Sequence, residues 1–348
     1  MATSYLDNKA LNRSDISRRG WLVPRMVASP FYHPLHSQIQ TFFCRSVNAG
    51  VILLSYSYMN IFKKMLGLAP QPTDDGAYTP SPLALRLATD STTDFDGGEY
   101  SNPYTGGKLK VLMVCTEERN MVMANGMKFS TGNHPVEMAL PMLHLINAGF
   151  EIDIVTPTGG SAKIEMWAMP RKDEAVLKLY RDFADAFEHP GSLSDFVANS
   201  MTDDTPYIAV YLPGGHGAML GLPDNPDVGK LLHWAHNRNL FTLALCHGPA
   251  ALLAANNGGP SNYIYHGYKI AAFPDAVDRQ TPLIGYMPGH MPWKFGEKLN
   301  ELGVIIVNSK ADSSCYLDRR LISGASPKAA NDFGRLAADT LLGVVHAG

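Results

Sequence analysis

The chain has 348 residues, of which 45% are hydrophobic and 18% charged, so it can bury the core of one large domain or of two ordinary ones. Its formal net charge of −3 provides no basic excess for binding a phosphate backbone, which argues against nucleic acid as the primary partner. The four cysteines form no C-x-x-C pair, so neither a zinc ribbon nor a disulfide framework is predicted, and a reducing, cytoplasmic location fits best.

The first 58 residues differ in composition from the rest of the chain. They contain five arginines but only two acidic residues, together with several serines and no clear period. This bias is typical of an organellar transit peptide, but it also fits a disordered tail or an upstream extension of a chain that starts at Met59. We favour the last two interpretations. The longest apolar run, Val51–Met59, is far shorter than the ~20 residues of a membrane span, so we expect a soluble protein without a membrane partner.

Residues 59–107 are rich in Pro, Gly, Ser, Thr and Asp, which predicts an irregular arm that packs on the following domain. From Lys108 strands and helices alternate. An apolar run predicts a strand over residues 108–116, Pro135 begins a helix that ends before Gly149, and a second strand follows at 151–157. This βαβ unit implies parallel strands joined by a right-handed crossover.

Residues 160–205 are polar and mostly helical, which predicts an inserted cap lobe. The later predicted strands are Tyr207–Pro213, Leu240–Leu245, Lys269–Phe273 and Val304–Asn308. The later predicted helices are Asp227–Asn237, Pro249–Ala255, one around Trp293–Leu302, and one from Pro327 to about Val345. The predicted fold class is therefore α/β, with a doubly wound, mostly parallel sheet that binds its ligands at the carboxyl ends of the strands.

The candidate catalytic residues all follow predicted strands. Glu137 follows the first strand, the run Gly214, Gly215 and His216 the third, and Cys246 with His247 the fourth. Asp275 and Asp278 follow the fifth strand. Because the carboxyl ends of parallel strands meet at one edge, we expect these side chains to form one site.

Cys246 lies at a predicted sharp turn between a strand and a helix. Unpaired amides at a helix start favour thiolate and can lower a cysteine pKa from ~8.5 to about 3.5–7.5. A buried, inert cysteine is the alternative interpretation and the commonest fate of a lone cysteine. The sequence His247, Gly248 and Pro249 that follows favours a catalytic nucleophile, because it matches a nucleophile elbow.

The neighbouring residues give weaker signals when taken singly. Gly214 and Gly215 predict an oxyanion hole, since two glycines let backbone amides approach a substrate oxygen, and His216 alone would more often be structural. Glu137 in a first helical turn ordinarily complements the helix dipole. Either Asp275 or Asp278 could orient His247 in a Cys-His-Asp triad, and both are otherwise turn residues.

From about Met59 to the C-terminus the sequence resembles the HchA type of the ThiJ/PfpI superfamily. The resemblance is carried, in this order, by Glu118–Arg119, Phe129–Glu137, Glu165–Pro170, Lys172–Glu174, Leu212–Ala218, Leu245–Ala250, Ala272–Asp278, Gln280–Pro282 and Ile284–His290. Motifs this numerous and in this order are highly specific. They imply a flavodoxin-like sheet of the kind also found in class I glutamine amidotransferases, for the domain from residue 108 to 348.

The resemblance also implies roles for individual residues. It makes Cys246 the nucleophile, gives His247 and Asp278 the rest of the triad, and makes Glu137 an acid/base group that contacts the cysteine. Gly215 matches the family's oxyanion position. The family's zinc ligands, two histidines and a glutamate, correspond here to Ile146, Glu151 and Phe183. One carboxylate cannot hold zinc, so we predict no such metal site, and no other cofactor.

The activities known for the family are those of a glutathione-independent glyoxalase (a glyoxalase III, lyase type), a protein deglycase (a hydrolase) and a heat-inducible chaperone. They imply reactive dicarbonyls and glycated proteins or nucleotides as substrates, unfolded proteins as partners of a chaperone, a role in stress and a homodimer. Methylglyoxal conversion to lactate is the leading hypothesis, and a holdase chaperone with minor peptidase activity is the alternative. An amidotransferase is disfavoured because none of the 12 histidines is followed by Glu two positions later.

Overall fold

The computed structural model describes residues 65–256 and 259–347, so the interpretations of residues 1–58 concern a segment outside the described residues. The described strands are β1 (Gln71–Pro72), β2 (Tyr78–Thr79), β3 (Lys110–Val114), β4 (Asn120–Val122), β5 (Lys128–Ser130), β6 (Glu151–Thr156), β7 (Gly191–Ser192), β8 (Tyr207–Leu212), β9 (Phe241–Leu245), β10 (Lys269–Ile270), β11 (Ile305–Ile306), β12 (Cys315–Asp318) and β13 (Leu321–Gly324). The α-helices are α1 (Pro82–Ala88), α2 (Pro135–Asn147), α3 (Glu174–Asp182), α4 (Ala184–Glu188), α5 (Leu193–Asn199), α6 (Pro226–Asn237), α7 (Asp275–Asp278), α8 (Phe295–Glu301) and α9 (Ala330–Ala347). Turns of 3-10 helix occupy Met166–Ala168, His216–Met219, Gly248–Ala255, Pro260–Asn262, Thr281–Ile284 and Pro327–Ala329.

A seven-stranded sheet with the order β12-β13-β9-β8-β3-β6-β7 positions the site. Neighbouring strands in this sheet are parallel, except for the antiparallel pair β12 and β13. The chain leaves β3 toward β6 and later returns to β8 on the other side of β3. The gap between β3 and β8 is therefore the topological switch point, where doubly wound folds bind ligands. The predicted α/β class is confirmed.

Apolar side chains cover both faces of the sheet, as its near-continuous apolar strands require. Residues 111–114 of β3 and 243–245 of β9 are fully buried. One face packs against α2 and α9, and the other against α6, α8 and the 3-10 helix that follows β9. Among the described residues, no helix combines the length and the apolar character that crossing a membrane requires.

Two predicted elements after β9 are wrong in detail. The predicted strand Lys269–Phe273 shortens to β10, which pairs with β11 in a separate two-stranded sheet. The backbone of residues 271 and 272 instead donates to the side chains of Ser323 and Asn308, at 3.0 and 2.9 Å, so it is not available for a strand ladder. The place beside β9 is taken by β13, which the sequence pattern did not reveal. The predicted α-helix after Cys246 is a 3-10 helix.

The arm and the insertion both contain regular structure. In the arm, β1 and β2 join β5 and β4 in a four-stranded sheet, and α1 follows them along the chain. The backbone amide of Tyr104 donates to the carbonyl oxygen of Ala148 at 2.8 Å, which ties the arm to the end of α2. The insertion over residues 160–205 holds α3, α4 and α5, and it adds β7 to the edge of the central sheet.

Candidate active site

Cys246 lies at the turn between β9 and the following 3-10 helix. Its φ of 61° is in the left-handed region, which costs a residue with a side chain free energy. The turn is held on both sides, because the Cys246 amide donates to Gly324 at 2.8 Å and its carbonyl oxygen accepts from the amide of Phe273 at 3.0 Å. A Cβ atom at Gly248 would overlap the carbonyl oxygen of Leu212. The geometry is that of a nucleophile elbow.

A chain of buried polar side chains connects the thiol to an aspartate. The Sγ atom of Cys246 lies 3.3 Å from Nδ1 of His247, whose Nε2 lies 2.8 Å from Oδ2 of Asp278. The other oxygen of Asp278 lies 2.9 Å from Nε2 of His216. The structure therefore brings these four residues together, and the carboxylate of Asp278 joins two imidazoles.

The charge of Asp278 determines the tautomers of both histidines. Burial alone raises its pKa, but His247 and His216 outweigh burial and hold the pKa well below its usual range. An ionised carboxylate only accepts hydrogen bonds, so both Nε2 atoms must be the donors. In the neutral form of each ring, the Nδ1 atom is then the acceptor. Nδ1 of His247 faces the thiol and can take its proton.

Glu137 lies in the first turn of α2 and is fully buried beside Cys246. Its carboxyl group faces the thiol and the backbone amide of Gly215, although neither oxygen makes a hydrogen bond of standard geometry. Burial raises the pKa of this carboxyl group well above its usual range. Burial therefore favours the neutral, protonated form of this carboxyl group beside the sulfur.

The predicted lowering of the Cys246 pKa is wrong for the resting site. Burial, followed by the negative charge of Glu137, raises the pKa of the thiol well above its usual range. These effects outweigh the start of the 3-10 helix Gly248–Ala255. The two groups titrate together, however, and protonation of Glu137 removes the charge that opposes thiolate. A thiolate thus depends on where the proton of Glu137 resides.

The two predicted oxyanion glycines, Gly214 and Gly215, occupy positions where a Cβ atom would overlap neighbouring atoms. Gly215 has a φ of 96°, and a Cβ atom there would lie 2.5 Å from the amide nitrogen of His134. A Cβ atom at Gly214 would lie 2.7 Å from Cβ of Cys246. The amide of Gly215 interacts with the thiol and with the Glu137 carboxyl, so it is available to an oxyanion formed at the sulfur.

Glu165 is a buried carboxyl group to which the sequence interpretation assigned no role. Its Oε1 atom accepts a hydrogen bond of 2.6 Å from the Thr131 hydroxyl, whereas its Oε2 atom is buried without a partner. Burial raises its pKa to about 7, and the nearby His216 lowers it in part. The segment Glu165–Pro170 of the resemblance already contained this residue and was the signal that could have identified it.

Aromatic rings line the site, and the sequence interpretation assigned no role to them either. The ring centroid of Tyr286 lies 5.6 Å from that of Trp167 and 5.9 Å from that of His216. Phe129 lies 5.8 Å from His216, and Phe273 stacks on His247 at 4.7 Å. Tyr286 belongs to the segment Ile284–His290 of the resemblance. These rings limit the space and the water around the imidazoles.

Asp275 has a different function from Asp278. Its carboxylate accepts from the amides of Gly296 and Glu297, at 3.2 and 2.9 Å, and so stabilises the start of α8. Of the two aspartates that sequence left open, the structure places only Asp278 against His247.

Two places in the fold bear on metal binding. Ile146 and Phe183 pack against the apolar core and offer no donor atom, while Glu151 pairs with Lys110 at 3.3 Å. Elsewhere in the described ranges, one cluster has ligand atoms close enough for a metal ion: His216, His247 and Asp278, within 4.8 Å. The hydrogen bonds of Asp278 to both rings already account for that spacing.

The fold and this site together define an α/β protein with a doubly wound sheet and a buried cysteine at a nucleophile elbow. No family model matches the chain. The protein/nucleic acid deglycase HchA of Pseudomonas aeruginosa (strain UCBPP-PA14) is 48% identical over 275 residues, which are 78% of this chain and 94% of that protein. Protein/nucleic acid deglycase 1 of Escherichia coli (strain K12) is 47% identical over 270 residues, 77% of this chain and 93% of that protein. The chain therefore belongs to the HchA family.

Solved structures show the same fold at lower identity. Glyoxalase III of Candida albicans superposes with a TM-score of 0.50 at 21% identity, over 66% of this chain and 97% of that one. The 24 kDa rapid encystment protein of Francisella tularensis gives a TM-score of 0.55 at 24% identity, over 67% of this chain and 99% of that one. Both likenesses support the flavodoxin-like arrangement described above.

Proposed function

We propose that the protein is a glutathione-independent glyoxalase that converts methylglyoxal to lactate through Cys246. The observation that carries this proposal is the buried carboxyl group of Glu137 against the thiol of a cysteine in an elbow. A peptidase nucleophile needs only its histidine and an oxyanion hole. A second acid beside the sulfur is what an isomerisation between two substrate carbons requires.

The first step is addition of the thiol to the aldehyde carbon. Nδ1 of His247 takes the thiol proton, and the sulfur forms a bond to the aldehyde carbon, C1. The electron pair of the carbonyl moves to its oxygen, O1, which lies near the amide of Gly215. Glu137 donates its proton to O1. The result is a hemithioacetal beside a Glu137 carboxylate and a protonated His247.

The second step moves a hydrogen from one carbon to the next. The Glu137 carboxylate removes the proton from C1, and the electron pair forms an enediolate with the keto carbon, C2. Glu137 then returns the proton to C2, which leaves a thioester of lactic acid on Cys246. Water cleaves the thioester by adding hydroxyl to the acyl carbon and hydrogen to the sulfur. The proton on His247 returns to Glu137, and the starting state is restored.

The same attack supports deglycase activity. A glycated Cys, Lys or Arg side chain carries the dicarbonyl as a hemithioacetal or aminocarbinol at C1. The sulfur of Cys246 replaces the side-chain S or N on C1, the leaving thiol or amine takes the proton of the Cys246 thiol, and the same hemithioacetal on Cys246 results. The relatives named above are called protein/nucleic acid deglycases, which supports glycated proteins and nucleotides as a second substrate class.

Lactate formation from methylglyoxal without glutathione tests the proposal. We expect activity in the wild-type protein, none in Cys246→Ser, and a loss of at least about 100-fold in Glu137→Gln, the scale of one acid/base group. Cys315→Ser changes a half-buried free cysteine away from the elbow and is the matched control. Retained turnover in Cys246→Ser would refute the mechanism.

A holdase chaperone is the second candidate function. Large apolar side chains such as Met166 and Leu283 are 53% and 73% exposed; Met166 precedes Trp167 directly, and Leu283 lies three positions before Tyr286. A holdase would use such surface and not the thiol. Cys246→Ala separates the two, because a chaperone keeps suppressing aggregation of a denatured client while lactate formation disappears.

A further inference from the structure

We propose that His216 is a further catalytic residue, which carries a proton from one substrate oxygen to the other, and that Glu165 is its positioning partner. The inference rests on the proposed glyoxalase function and assigns a part of that reaction to which no residue has yet been given. It follows from the shared carboxylate of Asp278 and from the buried surroundings of His216.

The isomerisation requires two hydrogen transfers. The hemithioacetal carries a hydroxyl on C1 and a carbonyl on C2, whereas the thioester carries a carbonyl on C1 and a hydroxyl on C2. The carbon-bound hydrogen moves from C1 to C2 through Glu137. The hydrogen on O1 must also leave, and O2 must gain one. A group with one lone pair that reaches both oxygens can perform this second transfer.

His216 has the required lone pair. Its Nε2 donates to Asp278 at 2.9 Å, so Nδ1 of the neutral ring is an acceptor. Within the described part of the chain, no hydrogen-bond partner is found for that Nδ1 atom, whereas Nδ1 of His247 is occupied by the Cys246 thiol at 3.3 Å. The two ring centroids are only 4.0 Å apart. His216 therefore lies directly beside the ring that contacts the thiol, and the lone pair of its Nδ1 atom remains for a substrate oxygen.

The transfer leaves His216 unchanged. Nδ1 takes the proton of O1 while the electron pair of that O–H bond becomes the carbonyl of the thioester. The imidazolium that forms is stabilised by Asp278 on Nε2. The same proton then passes from Nδ1 to O2, which holds the negative charge of the enediolate. No oxidant and no further reactant are needed.

Glu165 stabilises the charged state of His216 and holds its surroundings in place. One oxygen is fixed by Thr131 at 2.6 Å, and the other is buried without a partner. The titratable groups that face Glu165 are His216, Glu137 and Tyr286. Of these three, only His216 gains positive charge in the reaction, so an ionised Glu165 favours the imidazolium. Burial raises the pKa of Glu165 to about 7, which places its ionisation in the working range.

Two reactions of Cys246 distinguish this role from a structural one. Lactate formation from methylglyoxal needs transfer between two oxygens, whereas acylation of the thiol by 4-nitrophenyl acetate involves one carbonyl oxygen only. We expect His216→Asn to lower kcat for methylglyoxal by about 100-fold or more, the scale of one acid/base group, and to lower the acylation rate by a much smaller factor. Acylation also reports that the variant is folded.

Glu165→Gln supplies a second variant. It should lower kcat for methylglyoxal by roughly tenfold and abolish the rise of kcat with pH near 7, because glutamine does not ionise. His189→Asn alters an exposed histidine and should leave both reactions and the pH profile unchanged. The inference is overturned if His216→Asn retains lactate formation within threefold, or if both reactions fall by the same factor. A wild-type protein that acylates but forms no lactate would overturn the proposed function itself, and this inference with it.

Discussion

The carboxyl group of Glu137 occupies the place that a side chain at Gly214 would need. A Cβ atom built on Gly214 overlaps Oε2 of Glu137 and lies 2.6 Å from the carbonyl oxygen of Leu245. The glycine therefore does more than expose backbone amides to an oxyanion. It leaves the space in which a buried acid approaches the thiol of Cys246.

Gly214→Ala should displace the carboxyl group of Glu137 and lower kcat/KM for methylglyoxal by at least about 100-fold, as loss of one acid/base group does. The obstructing backbone of Leu245 cannot move freely, so unfolding by urea should also show a loss of stability. Gly343→Ala is the matched control, because nothing lies within 4 Å of a Cβ atom at that exposed helical position. It should keep full activity and gain up to about 1 kcal/mol. Activity of Gly214→Ala within threefold of wild type would contradict the relationship.

Asp278→Asn should lower kcat for methylglyoxal by about 10³-fold or more, because an amide no longer specifies the donor tautomer of His247 and His216. The neighbouring aspartate is the natural control. Asp275→Asn loses a charge that stabilises α8, through Gly296 and Glu297, and should cost about 1 kcal/mol of stability with little change in kcat at 25 °C. Equal losses of kcat in the two variants would show that the aspartates act through structure alone.

The sequence predicted the strands whose carboxyl halves are buried. The runs that became β3 and β9 are apolar because helices cover both of their faces, and β6 and β8 end in buried residues although each begins with exposed or half-buried ones. The strands β12 and β13 were missed because they are short and joined by the polar turn Arg319–Arg320, a pattern that is typical of a surface loop. The predicted fifth strand failed because its backbone bonds to side chains from distant segments.

The candidate site could be predicted as a set of residues but not as a network. The positions of Cys246 and Glu137 after strands placed them at one edge of the sheet. The bond between His216 and Asp278 joins residues 62 positions apart, and no local spacing encodes it. The raised pKa of Cys246 depends on burial by the whole fold, so a motif at a helix start pointed in the wrong direction.

The left-handed backbone of Cys246 should be measurable as strain. We compare two variants that both lack the thiol, Cys246→Gly and Cys246→Ala, by urea unfolding. Glycine adopts a φ of 61° without the penalty of about 1–2 kcal/mol that a Cβ atom carries there. Chain entropy and loss of a methyl group oppose this gain. The change from alanine to glycine at 246 should therefore be nearly neutral.

Ala244→Gly supplies the reference, because Ala244 lies in the buried strand β9 and is not among the described residues with a left-handed φ. The same entropy and packing losses apply there without any relief of strain. Ala244→Gly should cost at least about 1 kcal/mol more than the change from alanine to glycine at 246. Equal costs at the two positions would show that the elbow stores no strain.

Glu165 should make the protein less stable as the pH rises, because its carboxyl group is buried beside His216. Its pKa is raised from 4.5 in the unfolded chain to about 7 in the fold, so the folded state binds the proton more tightly. Below pH 4.5 the group is neutral in both states, and the fold keeps the full benefit. Between pH 4.5 and 7 that benefit is lost, and above pH 7 the loss levels off at about 3 kcal/mol.

Glu165→Gln removes this dependence, so the free energy of unfolding of the variant relative to wild type should increase by about 2–3 kcal/mol from pH 5 to pH 8. Urea unfolding of both proteins at the two pH values measures it, with exposed Glu188→Gln as a control that should show no such change. A difference between Glu165→Gln and wild type that stays constant with pH would mean that Glu165 is ionised throughout this range and that burial does not raise its pKa.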